Sequence, residues 1–384
     1  MSAEKRIIYF DHAATSWPKP PEVVAAMVAA MADAGGNPGR GAHQLSVAAA
    51  RVIASARSAA ASLLGVPDER DIIFTAGCTP AMNLALKGAL EPGDRVVVSG
   101  VEHNAVVRPL AALAEVGVEV VIVPADREGR IDPDDVERLV SERPTRAVVC
   151  QHASNVTGVI HPIGDLADIA HEHGAVMLVD GAQAGGHLAV DVTALGVDAY
   201  ACSGHKGLLG PQGVGLLYLA PGFEPRELIQ GGGGTDPIQA GQPGTRPDRY
   251  EAGTVNTPGV AGLGAAMRLL LARGDEIRAE ERALTRRLHE GLLGMPGIRV
   301  LGPPPAERRV PVVSVVHERV APDEIAYALE RRARIAVRAG LHCNPWTHEA
   351  VGTTATGAVR FGLGFGVTGE DVEVAIATMR EICA

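Results

Sequence analysis

The sequence predicts an α/β protein: a mostly parallel central sheet with helices on both faces, plus a smaller mixed α/β domain. Three observations predict it. Between about residues 70 and 220, short β-branched runs alternate with helix-like segments, the mark of βαβ units. A second, shorter set of strand-like and helical segments follows an Arg- and Glu-rich amphipathic stretch at 276–293. Several of the first runs end directly in polar, chemistry-bearing residues, and in open α/β sheets ligands gather at the carboxyl ends of strands.

In chain order, the expected strands are DIIFT (71–75), RVVVS (95–99), VEVVIVP (118–124), RAVVCQ (146–151), AVMLVD (175–180) and DAYACS (198–203). Each is short, rich in Val and Ile, and bounded by turn or helix signals. TPAMNLALKGAL (79–90) and GDLADIAHEHG (164–174) carry helical periodicity between them. Beyond 293 come VPVVSVV, a helix over 323–332, AVRFGL and a helix over 369–382.

Composition narrows the partners. The chain has 384 residues, 46% of them hydrophobic, and a net charge of −10 with no basic block. That argues against nucleic acid or an anionic membrane surface. No apolar run approaches the roughly 18–20 residues that span a bilayer, and the N-terminus lacks a signal-peptide pattern. Five scattered cysteines without CxxC spacing argue against a disulfide framework or a metal site, and place the chain in a reducing cytoplasm.

The strand ends carry the chemistry. One run leads to Gly77-Cys78-Thr79, the next to Glu102-His103-Asn104, another to Asn155; Asp180 closes a fourth, with Gln183 beyond it, and Ser203-Gly204-His205-Lys206 closes a fifth. Singly, each has an ordinary explanation: a helix cap, a structural histidine, a surface lysine. Together they suit a flat cofactor. An aspartate facing a ring nitrogen makes the ring an electron sink, and a histidine stacks on its face. Hydroxyls and helix-start N–H groups hold a phosphate, and a desolvated lysine condenses with an aldehyde. Pyridoxal 5′-phosphate needs this set.

These motifs resemble the fold-type I pyridoxal-phosphate enzymes of the class V aminotransferase group, and within it the cysteine desulfurases. The likeness runs nearly end to end, through YFDHAAT, GNPGRGAHQLS, TAGCTPAMNL, VEHNAVVRPL, HASNVTGV, VDGAQAGGH, SGHKGLLGPQGVG, YEAGTVNT, RAGLHC and GAVRFG. It implies that Lys206 is the Schiff-base lysine, that Asp180 pairs with the pyridine nitrogen, and that Gln183 lies near the ring hydroxyl. His103 would stack on the ring and assist proton transfer, with Asn155 beside it. Thr79, Ser203 and His205 would hold the phosphate, with Cys78 beside them. Thr254 would reach the phosphate from the partner subunit of a homodimer, and Arg40 would point towards the neighbour's site. The implied domains are 20–262 for the cofactor, and 1–19 with 263–384 for a small domain carrying Cys343 and Arg360.

RAGLHC is similar to the short-loop desulfurases and selenocysteine lyases, in which this cysteine takes the sulfur. Arg338 and His342 stand where they could favour its thiolate, and Arg338 and Asn155 join Arg40 among the expected substrate contacts. Arg360 would clamp the α-carboxylate. The implied reaction converts L-cysteine to L-alanine, loads a persulfide on Cys343 and passes sulfur to an acceptor protein or thiol, as for Fe–S clusters or cofactors. L-Selenocysteine or a modified cysteine are alternative substrates, and a selenocysteine lyase, a C–S lyase or a class V transaminase are alternative activities. Cys343 is followed by Asn-Pro-Trp where the family more commonly has alanine. Gly362 and Val367-Thr368 replace its usual serine and Asn-Thr pair, and Gly39 stands where the short-loop enzymes often carry histidine. The four glycines at 231–234 resemble the family's Gly-rich loop, and a nucleotide P-loop is excluded by the missing GK[ST].

Overall fold

A computed structural model describes residues 6–39, 41–233, 238, 240–304 and 309–384. Its seven-stranded central sheet has the order Ile72–Thr75, Gly215–Leu219, Ala199–Ser203, Val176–Asp180, Ala147–Gln151, Arg95–Ser99, Glu119–Val123. The last five are mutually parallel. The strand Gly215–Leu219, which the periodicity did not separate from the glycine loop before it, runs antiparallel to both its neighbours. Apolar side chains line both faces of this sheet, which explains why its strands read as unbroken Val/Ile runs rather than alternating ones.

A second sheet of four antiparallel strands, Arg338–Gly340, Ala358–Gly362, Val312–His317 and Ile298–Val300, packs over its own core with the helices Pro322–Ala333 and Gly369–Cys383. The helix Thr257–Leu292 links the two regions. At 36 residues it is about 54 Å long, far longer than the segment expected over 276–293. Its start packs on the helices Pro21–Asp33 and Gln44–Leu64, its end on Gly369–Cys383.

Gln44–Leu64 corrects one expectation: with 21 residues and a mean hydropathy of 1.3 in its most apolar window it is long and apolar enough to cross a membrane. Its apolarity comes from alanine, and its inner face is buried against the Thr257–Leu292 helix. Arg57 on that face pairs bidentately with Glu251 at 2.7 and 2.8 Å, and Glu251 also accepts from the Phe74 N–H at 2.6 Å. Breaking so buried a pair costs about 3–5 kcal/mol.

Close backbone approach decides the region around Lys206. Gly186 has φ +89°, and a Cβ there would stand 2.0 Å from the Gly207 carbonyl oxygen. Gly174 has φ +72° with nothing within 4 Å of a Cβ. Gly186→Ala is therefore expected to cost about 3 kcal/mol or more, and Gly174→Ala only the left-handed penalty of about 1–2 kcal/mol. Thermal melts of the two variants check this; equal midpoints would show that the Gly186–Gly207 approach is not tight.

Candidate active site

The strand ends deliver their residues to one place. Asp180, at the end of its strand, is buried, and its Oδ1 accepts from the Ala182 N–H at 2.9 Å and the Cys78 thiol at 3.3 Å. Its Oδ2 makes no hydrogen bond among the described residues. Cys78 is the first residue of the helix Cys78–Ala89, so this thiol ties the helix start to the acid. Burial, followed by the charge of Asp180, pushes that thiol well above its usual range, and it stays a neutral donor.

Lys206 sits half-buried in the turn after Ala199–Ser203. Burial lowers its amine from the ordinary lysine value; Asp180 and Cys78 oppose that shift, and Arg360 and Arg338 reinforce it. The peptide before it is pinned: the His205 carbonyl accepts from the Ser16 N–H at 2.8 Å, the Thr15 and Ser16 hydroxyls at 3.2 and 3.1 Å, and Lys19 Nζ at 3.1 Å. These N-terminal residues were not anticipated, because they lie nearly 190 positions from the lysine they hold. His103 caps the helix Asn104–Glu115 by accepting from the Ala105 N–H at 3.0 Å. Burial first, and then Lys206, lower it to about 4, so it is a neutral imidazole at pH 7. Glu102, just before it, is fully buried; desolvation lifts its carboxyl to about 8 while its Oε1 accepts from Ser99 and the Gln151 N–H. The sequence places Glu102 at a strand end but assigns it no role.

Several polar groups here lack protein partners. Gln183 donates to the Ala13 carbonyl at 2.8 Å, and its buried Oε1 has no partner; neither has the buried His205 Nδ1. Ser203 is buried, and its hydroxyl makes no hydrogen bond among the described residues. With the free N–H groups that open the helix at Cys78 and exposed Thr79 beside them, these residues could hold a flat ring bearing a phosphate. Thr79 and Thr254 line one cleft of 600 Å³ together with Tyr250 and Asn256. That cleft's lining includes neither Asp180 nor Lys206. Arg40 lies outside the described residues.

Cys343 is exposed, with Arg338 Nη2 3.5 Å from its Sγ. His342 and Cys343 both take left-handed backbone, φ +52° and +58°. Backbone bonds hold this turn from outside: the Cys343 carbonyl accepts from the Asn104 N–H at 2.9 Å, and the His342 carbonyl from Asn155 Nδ2 at 2.8 Å. Asn155, expected beside a ring, thus spends its amide on the cysteine turn. Arg360 is 1% exposed; it donates to the Asn155 carbonyl at 3.1 Å and pairs with Asp11 at 3.0 Å. Two of its five N–H donors are so used.

The thought that His342 might help charge the thiol fails. His342 Nε2 lies 3.3 Å from the Arg338 carbonyl, so it donates; His342 Nδ1 must then accept from His348 Nε2 at 3.2 Å, and His348 Nδ1 from the Thr353 hydroxyl at 2.7 Å. Every proton in this chain points one way, and both rings are neutral. Burial, the largest cause, lowers His342 to about 2 and His348 to about 4. Arg338 is the cation in contact with the sulfur.

The family model described as aminotransferase class-V matches residues 8–374. A probable cysteine desulfurase of Methanothermobacter thermautotrophicus is 35% identical, over 98% of this chain and 94% of its own length. Another, from Halalkalibacterium halodurans, is 36% identical, over 93% and 89%. The apo structure of a cysteine desulfurase from Thermococcus onnurineus superposes with a TM-score of 0.92 at 32% identity, covering 98% and 94% of the two chains. CsdA from Escherichia coli, a cysteine desulfurase crystallised as the S-sulfonic acid, gives 0.87 at 29%, covering 98% and 94%.

The neutral histidines set a pH dependence. His342 and His348, with His12 and His161 held by burial near 3, bind a proton in the unfolded chain below about pH 6.5 but not in the fold. Their contribution is whole above that value. It is lost as pH falls towards the folded values, by up to about 1.4 kcal/mol per pH unit for each group. The urea midpoint is expected to fall between pH 7 and 5; a flat midpoint would show that these rings take up protons in place.

Proposed function

The chain belongs to the class V aminotransferase family, and from that premise we propose that it is a pyridoxal 5′-phosphate-dependent cysteine desulfurase, releasing L-alanine from L-cysteine and loading the sulfur on Cys343. The observation that carries this reading is an exposed thiol, in contact with Arg338, whose backbone carbonyl is held by the residue after His103, while neighbouring parallel strands end at Asp180 and just before Lys206.

The residues suit the coenzyme on their own evidence. Asp180 has one oxygen saturated and one open, Gln183 Oε1 and His205 Nδ1 are buried without partners, and a helix starts at Cys78. Asp180 Oδ2 would face the ring nitrogen, and Gln183 the ring hydroxyl. Thr79, Ser203, His205 and the N–H groups at Cys78 and Thr79 would take the phosphate, with His103 on the ring face. When bound, the coenzyme supplies an aldehyde that condenses with amines and a protonated ring that stores an electron pair.

Lys206, with its amine lowered by burial, would hold that aldehyde at rest and would take the proton from the substrate's α-carbon. Arg360 keeps three donors for the α-carboxylate, and Asp11 and the Asn155 carbonyl fix its plane. The Cys343 thiolate, beside Arg338, attacks the substrate's sulfur: an S–S bond forms, the C–S bond breaks, and its electron pair passes to the substrate carbon. Neutral His103 can carry the proton that converts the remaining fragment to alanine. A thiol on a protein or small molecule then collects the outer sulfur. The same reading makes the enzyme a homodimer, with Thr254 and Arg40 serving the neighbouring site. Exposed Val24, Val28 and Met31 on one helix, and Leu228 and Ile229, supply apolar surface for such a contact.

Mass spectrometry after incubation with L-cysteine is expected to show alanine together with one added sulfur on the Cys343 peptide. Lys206→Ala should lower alanine formation about 10²–10⁴-fold, and Cys343→Ala should abolish the adduct. Full turnover by Cys343→Ala would favour a transaminase or C–S lyase.

A further inference from the structure

We infer that Asn344 is the positioning residue that sets where the Cys343 thiol stands; as a role in sulfur transfer, this rests on the desulfurase reading above. Asn344 follows the nucleophile directly and is 0% exposed. Its Nδ2 donates to the Val101 carbonyl and to Asn155 Oδ1, both at 2.9 Å, and its Oδ1 accepts from the Thr347 N–H at 3.1 Å. Both N–H donors of the amide are used, and its oxygen takes the cap bond.

The partners make the arrangement more than a helix cap. Val101 lies two residues before His103, and its carbonyl also accepts from the Thr347 hydroxyl at 2.9 Å and from Gln151 Nε2. Asn155 in turn holds the His342 carbonyl at 2.8 Å. Asn344 is thus tied to the loop that carries His103, and His342, through Asn155, to the loop after the strand Ala147–Gln151. Cys343 itself gives its carbonyl to the Asn104 N–H, and its exposed thiol touches Arg338 Nη2 at 3.5 Å. A turn with two successive left-handed residues other than glycine persists only where its surroundings over-determine it. Asn344 supplies two side-chain donors of that restraint; without them Asn155 Oδ1 would be buried with no partner.

The cap and the struts are separable. Serine at 344 can still accept from Thr347 but is too short to reach Val101. Aspartate keeps the shape and the cap and lacks both donors. The test uses the full-length protein as purified, with Asn344→Ser and Asn344→Asp compared to wild type. Three quantities are read: the iodoacetamide labelling rate of Cys343 before substrate is added, the thermal midpoint, and the kcat and KM for alanine formation from L-cysteine.

The expected result is a midpoint for the serine variant within about 3 °C of wild type, at least threefold faster labelling of Cys343 in both variants, and kcat lowered about tenfold or more with KM changed less than threefold. Wild-type labelling and kcat in either variant would overturn the proposal. A lowered midpoint with labelling unchanged would overturn it as well, since that is the result of a purely structural cap. Labelling needs no turnover, so it decides the positioning of Cys343 even if wild type shows no sulfur adduct, the result that would instead sink the desulfurase reading.

Discussion

A parallel sheet buried on both faces leaves the groups at its carboxyl ends in a place water reaches poorly. Each must find a partner in the protein or in a ligand. Much of this molecule follows from that constraint. Asp180 shares one oxygen between Cys78 and Ala182, Glu102 gives one oxygen to Ser99 and the Gln151 N–H while burial lifts its carboxyl, and the Val101 carbonyl takes three donors. What the protein leaves unpaired is then informative, and among the described residues the buried unpaired atoms of this site include Gln183 Oε1 and His205 Nδ1.

The same scarcity of water sets the charges. Burial is the first cause lowering Lys206, His103, His205, His342 and His348. The result is a site with neutral imidazoles, an amine poised below its solution value, and positive charge concentrated on Arg338 and Arg360. Of these two guanidiniums one is buried and oriented by Asp11, the other lies beside the exposed sulfur. The two arginines stand opposite each other in neighbouring strands of the small sheet, so a single register places both.

Strand positions and chemistry-bearing strand ends were legible because a doubly covered strand has no polar face and its polarity appears only where it stops. The strand Gly215–Leu219 was harder: it is equally apolar but follows a glycine loop directly and reverses direction. Alanine concealed the true length of Thr257–Leu292 and the span-like character of Gln44–Leu64, since a small side chain serves a buried helix face and a membrane face alike. The partners of Asp11, Thr15, Ser16, Lys19 and Asn344 were not legible, because they are distant in the chain and residues of these types usually face solvent or cap turns.

Local order therefore wrote the alternation of strands and helices, the lysine among glycines and the cysteine in its turn, since these rest on periodicity and backbone preference within a few residues. Long-range packing chose the rest: which oxygen of Asp180 stays open, how Asp11 orients Arg360, and which amide braces Cys343. Those choices depend on hydrogen bonds between residues as much as 349 positions apart, like Arg360 and Asp11, and such partners are specified only once the chain has closed around them.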